Sequence, residues 1–293
     1  MTWVITGLFY GLFMSFYTYI NQKYKLNGYI LGMWRGFGIM LVTFPIIFVE
    51  PFYFDPIYFI LLTVQGLFIG YFDSRVFMAS ARFGAGGTSR TLVFSIVIST
   101  ILWWILHPAD FLVLWQRPWI LLGIIAALSG TIISYLFITK DPFSKQLIKF
   151  MMPAVVVWSL MSTVNKEIML RHQLETGIGY YLVYSMFISG LYNLYIYASQ
   201  GRMSKNRVLK EVFAPKVVQA SFMLILFSIA LIIAKSISLA YTPNTGYVNA
   251  LSLTSPLWII LFNHYFKEKD LVSVRAGLVL IISLFFLTIL ASA

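Results

Sequence analysis

Ten long apolar segments, separated by short polar linkers, limit what this chain can fold into. A helix of about 20 apolar residues spans the roughly 30 Å hydrocarbon core of a bilayer. Hydrophobic residues make up 60% of the 293 positions and charged residues only 11%, whereas soluble domains carry about 25% charged residues. The sequence therefore predicts an all-α polytopic membrane protein with ten transmembrane helices. The predicted segments run near residues 3–20, 28–48, 57–81, 88–106, 119–138, 150–164, 177–198, 218–239, 244–266 and 272–290.

The basic residues lie mainly in short clusters between the apolar segments. The net charge of +11 could suggest a nucleic-acid partner, but this arrangement is typical of loops that meet anionic lipid headgroups. We therefore expect membrane lipids, and no nucleic acid, among the partners. The chain has no cysteine, which excludes disulfides, thiolate metal ligands and cysteine nucleophiles.

Weak internal similarity divides the ten segments into two sets of five. Placing Ser95 against Ser252 pairs two turns that each precede an apolar helix containing Ser and Thr, and a second match pairs Asn21 with Asn165. Five is an odd number of helices, so the second set enters the membrane with the opposite orientation. The sequence therefore predicts two inverted five-helix repeats. The predicted repeats are residues 1–141 and 142–293.

Positive charge is distributed unevenly between two groups of linkers. Linkers after odd-numbered segments, with the flanking helix ends, hold fifteen Lys and Arg residues. Linkers after even-numbered segments hold three, namely Arg117, Lys166 and Arg171. Since cytoplasmic loops of membrane proteins are enriched in Lys and Arg, this bias predicts that both termini lie outside the cytoplasm.

The segment from Ser238 to Lys269 has a distinctive order of features. A helix ending in small residues is followed by a turn, by a helix with a Ser255-Pro256 step, and by a bulky run that closes on Glu268. This pattern resembles the second-repeat signature of EamA-type transporters, members of the drug/metabolite transporter superfamily. The resemblance covers nearly the whole chain in its arrangement of five plus five helices.

Other positions both support this resemblance and depart from it. Met33-Trp34-Arg35-Gly36 is similar to the arginine-bearing start of the family's second helix, whereas Ser99 stands where the family often has proline. The resemblance implies a transporter of amino acids, amines, nucleotide-linked sugars or drugs. It also implies both termini in the cytoplasm, against the charge bias. We expect an integral protein of a bacterial or archaeal inner (plasma) membrane.

Charged residues within the apolar segments are the first candidates for a functional site, because charge in hydrocarbon costs a few kcal/mol or more. Asp73 and Arg75 point about 200° apart on a helix, so each needs another partner. Asp73 and Lys235 lie at similar fractional distances along their segments, which predicts a shared central cavity. The alternative is that these side chains, and Arg75 also, extend to the membrane surface. Lys235 could bind a carboxylate or phosphate, or release a proton that couples transport to a proton gradient.

Aromatic residues make up 18% of the chain, and some of them could line the same cavity. An aromatic lining suits an amine or an aromatic solute. The alternative is a belt of aromatic side chains at the membrane surface, which we expect for Trp3, Trp103, Trp104, Trp115 and Trp119. The aromatic residues predicted to line the cavity are Tyr17, Trp34, Trp158 and Tyr247.

Four asparagines lie near helix ends or turns. We expect Asn21, Asn165, Asn244 and Asn249 to cap helices or to form hydrogen bonds between them. Contact with a substrate is the alternative for Asn165 and Asn249.

The residues do not suggest an enzyme. His107, His172 and His264 have no metal-ligand spacing, and there is no P-loop, so we expect no metal and no cofactor. The prediction is a secondary transporter of a small organic solute that works as a monomer or homodimer, with a proton as one candidate for the coupling ion. A flippase or scramblase for a lipid or lipid-linked phosphate, and a structural scaffold, are the alternatives. A closed chamber around Lys235 would favour a soluble solute, and a groove open to lipid beside Arg75 and Arg82 would favour a lipid.

Overall fold

The computed structural model describes residues 1–49, 55–137, 144–200, 210–255, 257, 258, 261 and 274–292, and all regular structure in these ranges is helical. A 3₁₀ turn, Phe44–Phe48, extends α2, and a π-helical turn, Tyr181–Ser185, joins α9 to α10. The helices are α1 Thr2–Tyr24, α2 Gly28–Thr43, α3 Pro56–Phe83, α4 Ala85–Thr91, α5 Phe94–Leu106, α6 Pro108–Trp115, α7 Pro118–Leu136, α8 Lys145–Arg171, α9 Leu174–Tyr180, α10 Met186–Ser199, α11 Pro215–Tyr241, α12 Thr245–Ser252 and α13 Val274–Ser292.

Eight helical segments in the described ranges are long and apolar enough to cross a membrane. They are α1, α2 with its 3₁₀ turn, α3, α4 with α5, α7, α8, α11 and α13. This composition is that of an α-helical polytopic membrane protein. The predicted seventh segment coincides with α9, the π turn and α10, which form one helical run rich in tyrosine. The predicted ninth begins as α12, but Pro256 and Glu268 lie outside the described residues.

The helix ends follow local capping rules. Asn244 accepts a hydrogen bond from the Gly246 amide at 2.8 Å and begins α12, as the predicted turn at 242–244 requires. Gly84, with φ of 81°, turns the chain from α3 into α4, because glycine adopts this conformation without a steric penalty. A turn therefore precedes each of the two Ser- and Thr-containing helices that the internal similarity pairs. The predicted loop from 107 to 118 instead contains the short helix α6.

Helices from the two ends of the sequence pack against each other. Ser238 on α11 donates to the Trp3 carbonyl at 2.6 Å, while Phe16 stacks on Phe227 at 4.4 Å further along, so α1 and α11 run antiparallel. The other main packing pairs are α3 with α8, α2 with α10, α7 with α13, and α5 with α12. The centre of the molecule therefore lies among α1, α3, α8 and α11.

The outer surface is apolar, as a lipid-facing surface should be, and Trp119 and Trp115 are 82% and 65% exposed near the ends of helices. The expectation of a surface belt is wrong for two other tryptophans. Trp3 packs on the Tyr247 ring and Trp103 stacks on His107, and both are buried. Sequence position near a helix end cannot show which face of the helix a side chain occupies.

Candidate functional site

A small cavity lies at the centre of the molecule, among α1, α2, α3, α8, α11 and the π turn. Its free volume is about 30 Å³, which holds one or two water molecules. Side chains nearly fill this space, which is too small for an organic solute in this conformation. Its lining consists of Tyr10, Met14, Tyr17, Arg35, Ile69, Phe72, Asp73, Trp158, Met161, Tyr181, Leu231, Ile232 and Lys235.

A buried ion pair forms one end of the cavity. Arg35 on α2 and Asp73 on α3 form a salt bridge, and both residues are buried. The second oxygen of Asp73 accepts a hydrogen bond from the Tyr17 hydroxyl at 2.5 Å, and Arg35 Nε donates to Ser228 Oγ at 2.8 Å. A buried ion pair persists only when further hydrogen bonds satisfy its remaining groups, and these do so.

Asp73 and Arg75 find separate partners, as their spacing on the helix predicts. The Arg75 guanidinium lies over the rings of Phe150, at 4.8 Å, and Tyr71, at 5.3 Å, away from the central cavity. The partner of Asp73 is Arg35, which lies 38 residues earlier on the preceding helix α2. Sequence spacing alone could not identify this pair.

Lys235 forms the other end of the cavity. It is 3% exposed, and its ammonium lies 5.8 Å from the centre of the Tyr10 ring. Within the described part of the chain, this ammonium donates no hydrogen bond and forms no ion pair. The hydrogen-bond donors of Lys235 therefore remain available to a ligand.

The two ends of the cavity lie at different depths. Tyr17 contacts Asp73 and Tyr10 contacts Lys235, and two helical turns of α1, about 10 Å, separate these tyrosines. Because α11 runs antiparallel to α1, whereas α3 runs parallel to it, similar fractional positions along α3 and α11 do not by themselves imply the same depth. Both residues nevertheless line the same cavity.

Apolar and aromatic side chains line the space between the charged ends. Trp158 on α8 stacks on Phe72 of α3, with ring centres 5.5 Å apart. The Tyr181 hydroxyl, in the π turn, accepts a hydrogen bond from Gln65 Nε2 at 3.0 Å. The lining therefore offers a solute apolar surface with few free polar groups.

The nine site residues predicted from the sequence comprise Arg35, from the resemblance to the family's second helix, and eight charged, aromatic and asparagine residues. The structure brings five of the nine to the cavity: Tyr17, Arg35, Asp73, Trp158 and Lys235. It places Trp34 elsewhere, with its indole donating to the Val212 carbonyl at 3.0 Å. Tyr247 lines a separate cavity of about 230 Å³ together with Asp110 and Arg117.

The last two predicted site residues join helices, as the structural alternative expects. Asn249 donates to Ser99 Oγ at 2.6 Å and accepts from Ser162 at 3.0 Å. Asn165 accepts from Ser236 at 3.5 Å.

Several lining residues are not among those predicted from the sequence. Tyr10, Met14 and Tyr17 are spaced four and three residues apart, which places them on one face of α1. That spacing could have identified Tyr10 and Met14 once Tyr17 was chosen. Tyr181 and Ser228 carry no comparable signal.

A second polar cluster lies where α5 meets the ends of α8 and α11. Lys166, also buried, donates to the Thr242 carbonyl, and its ammonium lies 4.0 Å from the centre of the Trp103 ring. His107 Nε2 lies 2.8 Å from a carboxylate oxygen of Glu167, so this histidine has a protein partner. No group of three potential metal-ligating side chains occurs among the described residues.

Comparisons with known proteins leave the family open. No protein family model matches the chain, and no curated protein matches it significantly. The resemblance to EamA-type transporters therefore stays a prediction.

Proposed function

We propose that this protein is a secondary active transporter of a small organic solute, working by alternating access around the central cavity. The observation that carries this proposal is Lys235, a buried lysine that forms no hydrogen bond or ion pair with the described residues and faces a cavity among helices of both halves. A purely structural scaffold gains nothing from such a group, because an unpaired charge at membrane depth costs several kcal/mol. The same cost is acceptable where a solute or proton must be bound.

The packing of the helices supports two inverted repeats, residues 1–141 and 142–293. The first predicted segment packs on the eighth, as α1 on α11. The sixth predicted segment packs on the third, as α8 on α3. If each segment is replaced by its equivalent in the other repeat, one of these pairs becomes the other. The pairs α2 with α10, α5 with α12 and α7 with α13 are each converted into themselves. Inverted repeats of five helices account for this pattern.

Hydrogen bonds near the helix ends follow the same exchange. Asn21 on α1 donates to the Phe77 carbonyl of α3 at 2.8 Å. Asn165 on α8 accepts from Ser236 of α11 at 3.5 Å. The pairing of Asn21 with Asn165, proposed from sequence, thus extends to the residues that they contact.

This register also pairs the residues of the cavity. Aligning Asn21 with Asn165, and Phe77 with Ser236, brings cavity positions of one half onto cavity positions of the other. A central site built from equivalent positions is what two halves that exchange conformations would share. The pairs are Met14 with Trp158, Tyr17 with Met161, Phe72 with Leu231 and Asp73 with Ile232.

Cysteine labelling tests alternating access without knowledge of the solute. The chain has no native cysteine, so Met161→Cys would introduce one reactive thiol into the cavity. We expect membrane-impermeant maleimide to label this thiol from either side of oriented vesicles. The control Lys25→Cys, at the end of α1, should be labelled from one side only. Labelling of Met161→Cys from a single side, or from neither, would argue against a transporter.

A lipid flippase or scramblase is the second candidate function. An open groove of about 470 Å³ beside Arg82, lined also by Lys25, Tyr29 and Met78, could receive an anionic headgroup. Fluorescent phospholipid in proteoliposomes distinguishes the candidates, because a scramblase makes lipid of the inner leaflet accessible to external dithionite. Rapid loss of that fluorescence would favour the lipid substrate.

A further inference from the structure

The charges of the central cavity do not balance. Its lining contains two cations, Arg35 and Lys235, and one anion, Asp73. Arg35 and Asp73 bind each other, so the excess positive charge lies on Lys235. We infer that the solute is an organic monoanion whose carboxylate binds the Lys235 ammonium. This inference rests on the proposed transport function and specifies its substrate class.

Both members of the ion pair at the far end of the cavity already have protein partners. Both oxygens of Asp73 accept hydrogen bonds, from Arg35 and Tyr17, and Arg35 also donates to Ser228. An ammonium group has three donors and no acceptor. Lys235 can therefore supply the donors that a carboxylate requires, without breaking a contact observed among the described residues.

Cationic solutes fit this lining poorly. An amine would need a free carboxylate or an aromatic face, but the Arg35 guanidinium already lies over Tyr17 at 5.2 Å. The Lys235 ammonium likewise lies over the Tyr10 ring, 5.8 Å from its centre. A third cation would be repelled in a site with a low dielectric constant. Of the aromatic residues predicted to line the cavity for an amine, Tyr17 is thus already in contact with Arg35.

Charge also favours a carboxylate over a phosphate monoester. A phosphate monoester carries about −1.5 to −2 charges at neutral pH, which would leave negative charge uncompensated in a nearly dry cavity. A carboxylate carries one negative charge and matches the one surplus cation. The surfaces of Trp158, Phe72 and Leu231 suit an apolar or aromatic body attached to it.

Matched probes that differ only in charge test the inference on purified full-length protein. The panel pairs indole-3-acetate with indole-3-acetamide and tryptamine, and benzoate with benzamide and benzylamine. We expect at least one carboxylate to raise the melting temperature, with its amide and amine at least about 10-fold weaker, because a hydrogen bond to a charged group contributes about 1.5–3 kcal/mol. A panel in which no carboxylate binds better than its amide and amine overturns the inference.

Variants of the two buried lysines locate the binding site. Lys235→Met should weaken carboxylate binding about 10- to 100-fold, and Lys235→Arg should restore much of it. Lys166→Met is the matched control, since Lys166 is equally buried but donates to Thr242 outside the cavity. Equal binding by Lys235→Met and the unmodified protein would also overturn the inference.

The two proposals fail in distinguishable ways. Carboxylate binding that depends on Lys235, with labelling of Met161→Cys from one side only, would remove the transporter and leave the anion site. Two-sided labelling together with uptake of amines or amides in preference to carboxylates would leave the transporter and remove the inferred substrate class.

Discussion

The buried Asp73 carboxylate joins several helices within the membrane-spanning region. It accepts from Arg35 and from the Tyr17 hydroxyl, so three helices meet at one carboxylate. Removing one partner of a buried ion pair leaves the other charge uncompensated, which typically costs about 3–5 kcal/mol. This contact therefore holds α1, α2 and α3 together at the cavity.

The first prediction concerns this ion pair. Asp73→Asn should lower the melting temperature of the purified protein substantially, because Arg35 is then buried without a counter-ion. The double variant Arg35→Met with Asp73→Leu should recover much of the lost stability, since no charge remains unpaired. Thermal unfolding of the three proteins measures both effects. A single variant as stable as the unmodified protein would contradict this assignment.

At the residue scale, the rarity of charge in apolar segments predicted cavity-lining residues better than position along a helix did. Lys235 and Asp73 stood out because charge is rare in apolar segments, and both line the cavity. Trp34 and Tyr247 were chosen on position along a helix, and both lie elsewhere. The face that a helix turns inward depends on tertiary packing, and an all-round apolar helix gives little periodic signal to reveal it.

At the element scale, the crossing of α2 and α10 depends on the absence of side chains. A Cβ atom on Gly36 would lie 2.5 Å from the backbone nitrogen of Gly190. Small residues allow the backbones of membrane helices to approach closely. Because the neighbouring atoms are backbone, neither helix can relieve the overlap by a rotamer change.

The second prediction concerns the addition of one methyl group between these two helices. Gly36→Ala should destabilise the protein by about 1–3 kcal/mol, because overpacked contacts force the backbone to shift. The control Gly86→Ala should be close to neutral, since a Cβ atom there meets nothing within 4 Å. Thermal unfolding in the same detergent compares the two. Equal melting temperatures would show that the crossing is more adaptable than this geometry indicates.

The helices themselves were more predictable than their exact limits. Turn-forming residues at Gly84 and Asn244 identified two helix ends, because each satisfies a specific backbone requirement. The sixth segment was predicted too short: α8 extends from Lys145 to Arg171, and its polar ends belong to the same helix. A hydropathy pattern reports the part of a helix within hydrocarbon, whereas the helix continues as far as its backbone is capped.

At the scale of the whole molecule, charged groups separate between its two ends. Lys25 and Arg82 border one groove, so the ends of α1 and α3 share a face of the molecule. On the opposite face, Arg171 pairs with Asp55 at 3.7 Å, which lowers the net charge there. Among the described residues, Lys25 and Arg82 therefore lie on the face opposite the Arg171–Asp55 pair, and the positive-inside rule predicts that their face is the cytoplasmic one.

The third prediction is the orientation that follows from this separation. A C-terminal alkaline phosphatase fusion should be active and a C-terminal green fluorescent protein fusion dark, because the charge bias places both termini outside the cytoplasm. In intact cells, impermeant maleimide should label Thr2→Cys and leave Lys25→Cys unmodified until the membrane is permeabilised. The resemblance to EamA-type transporters implies the reverse result for each probe. A fluorescent C-terminal fusion would thus favour the family's orientation and place the basic face outside, against the charge rule.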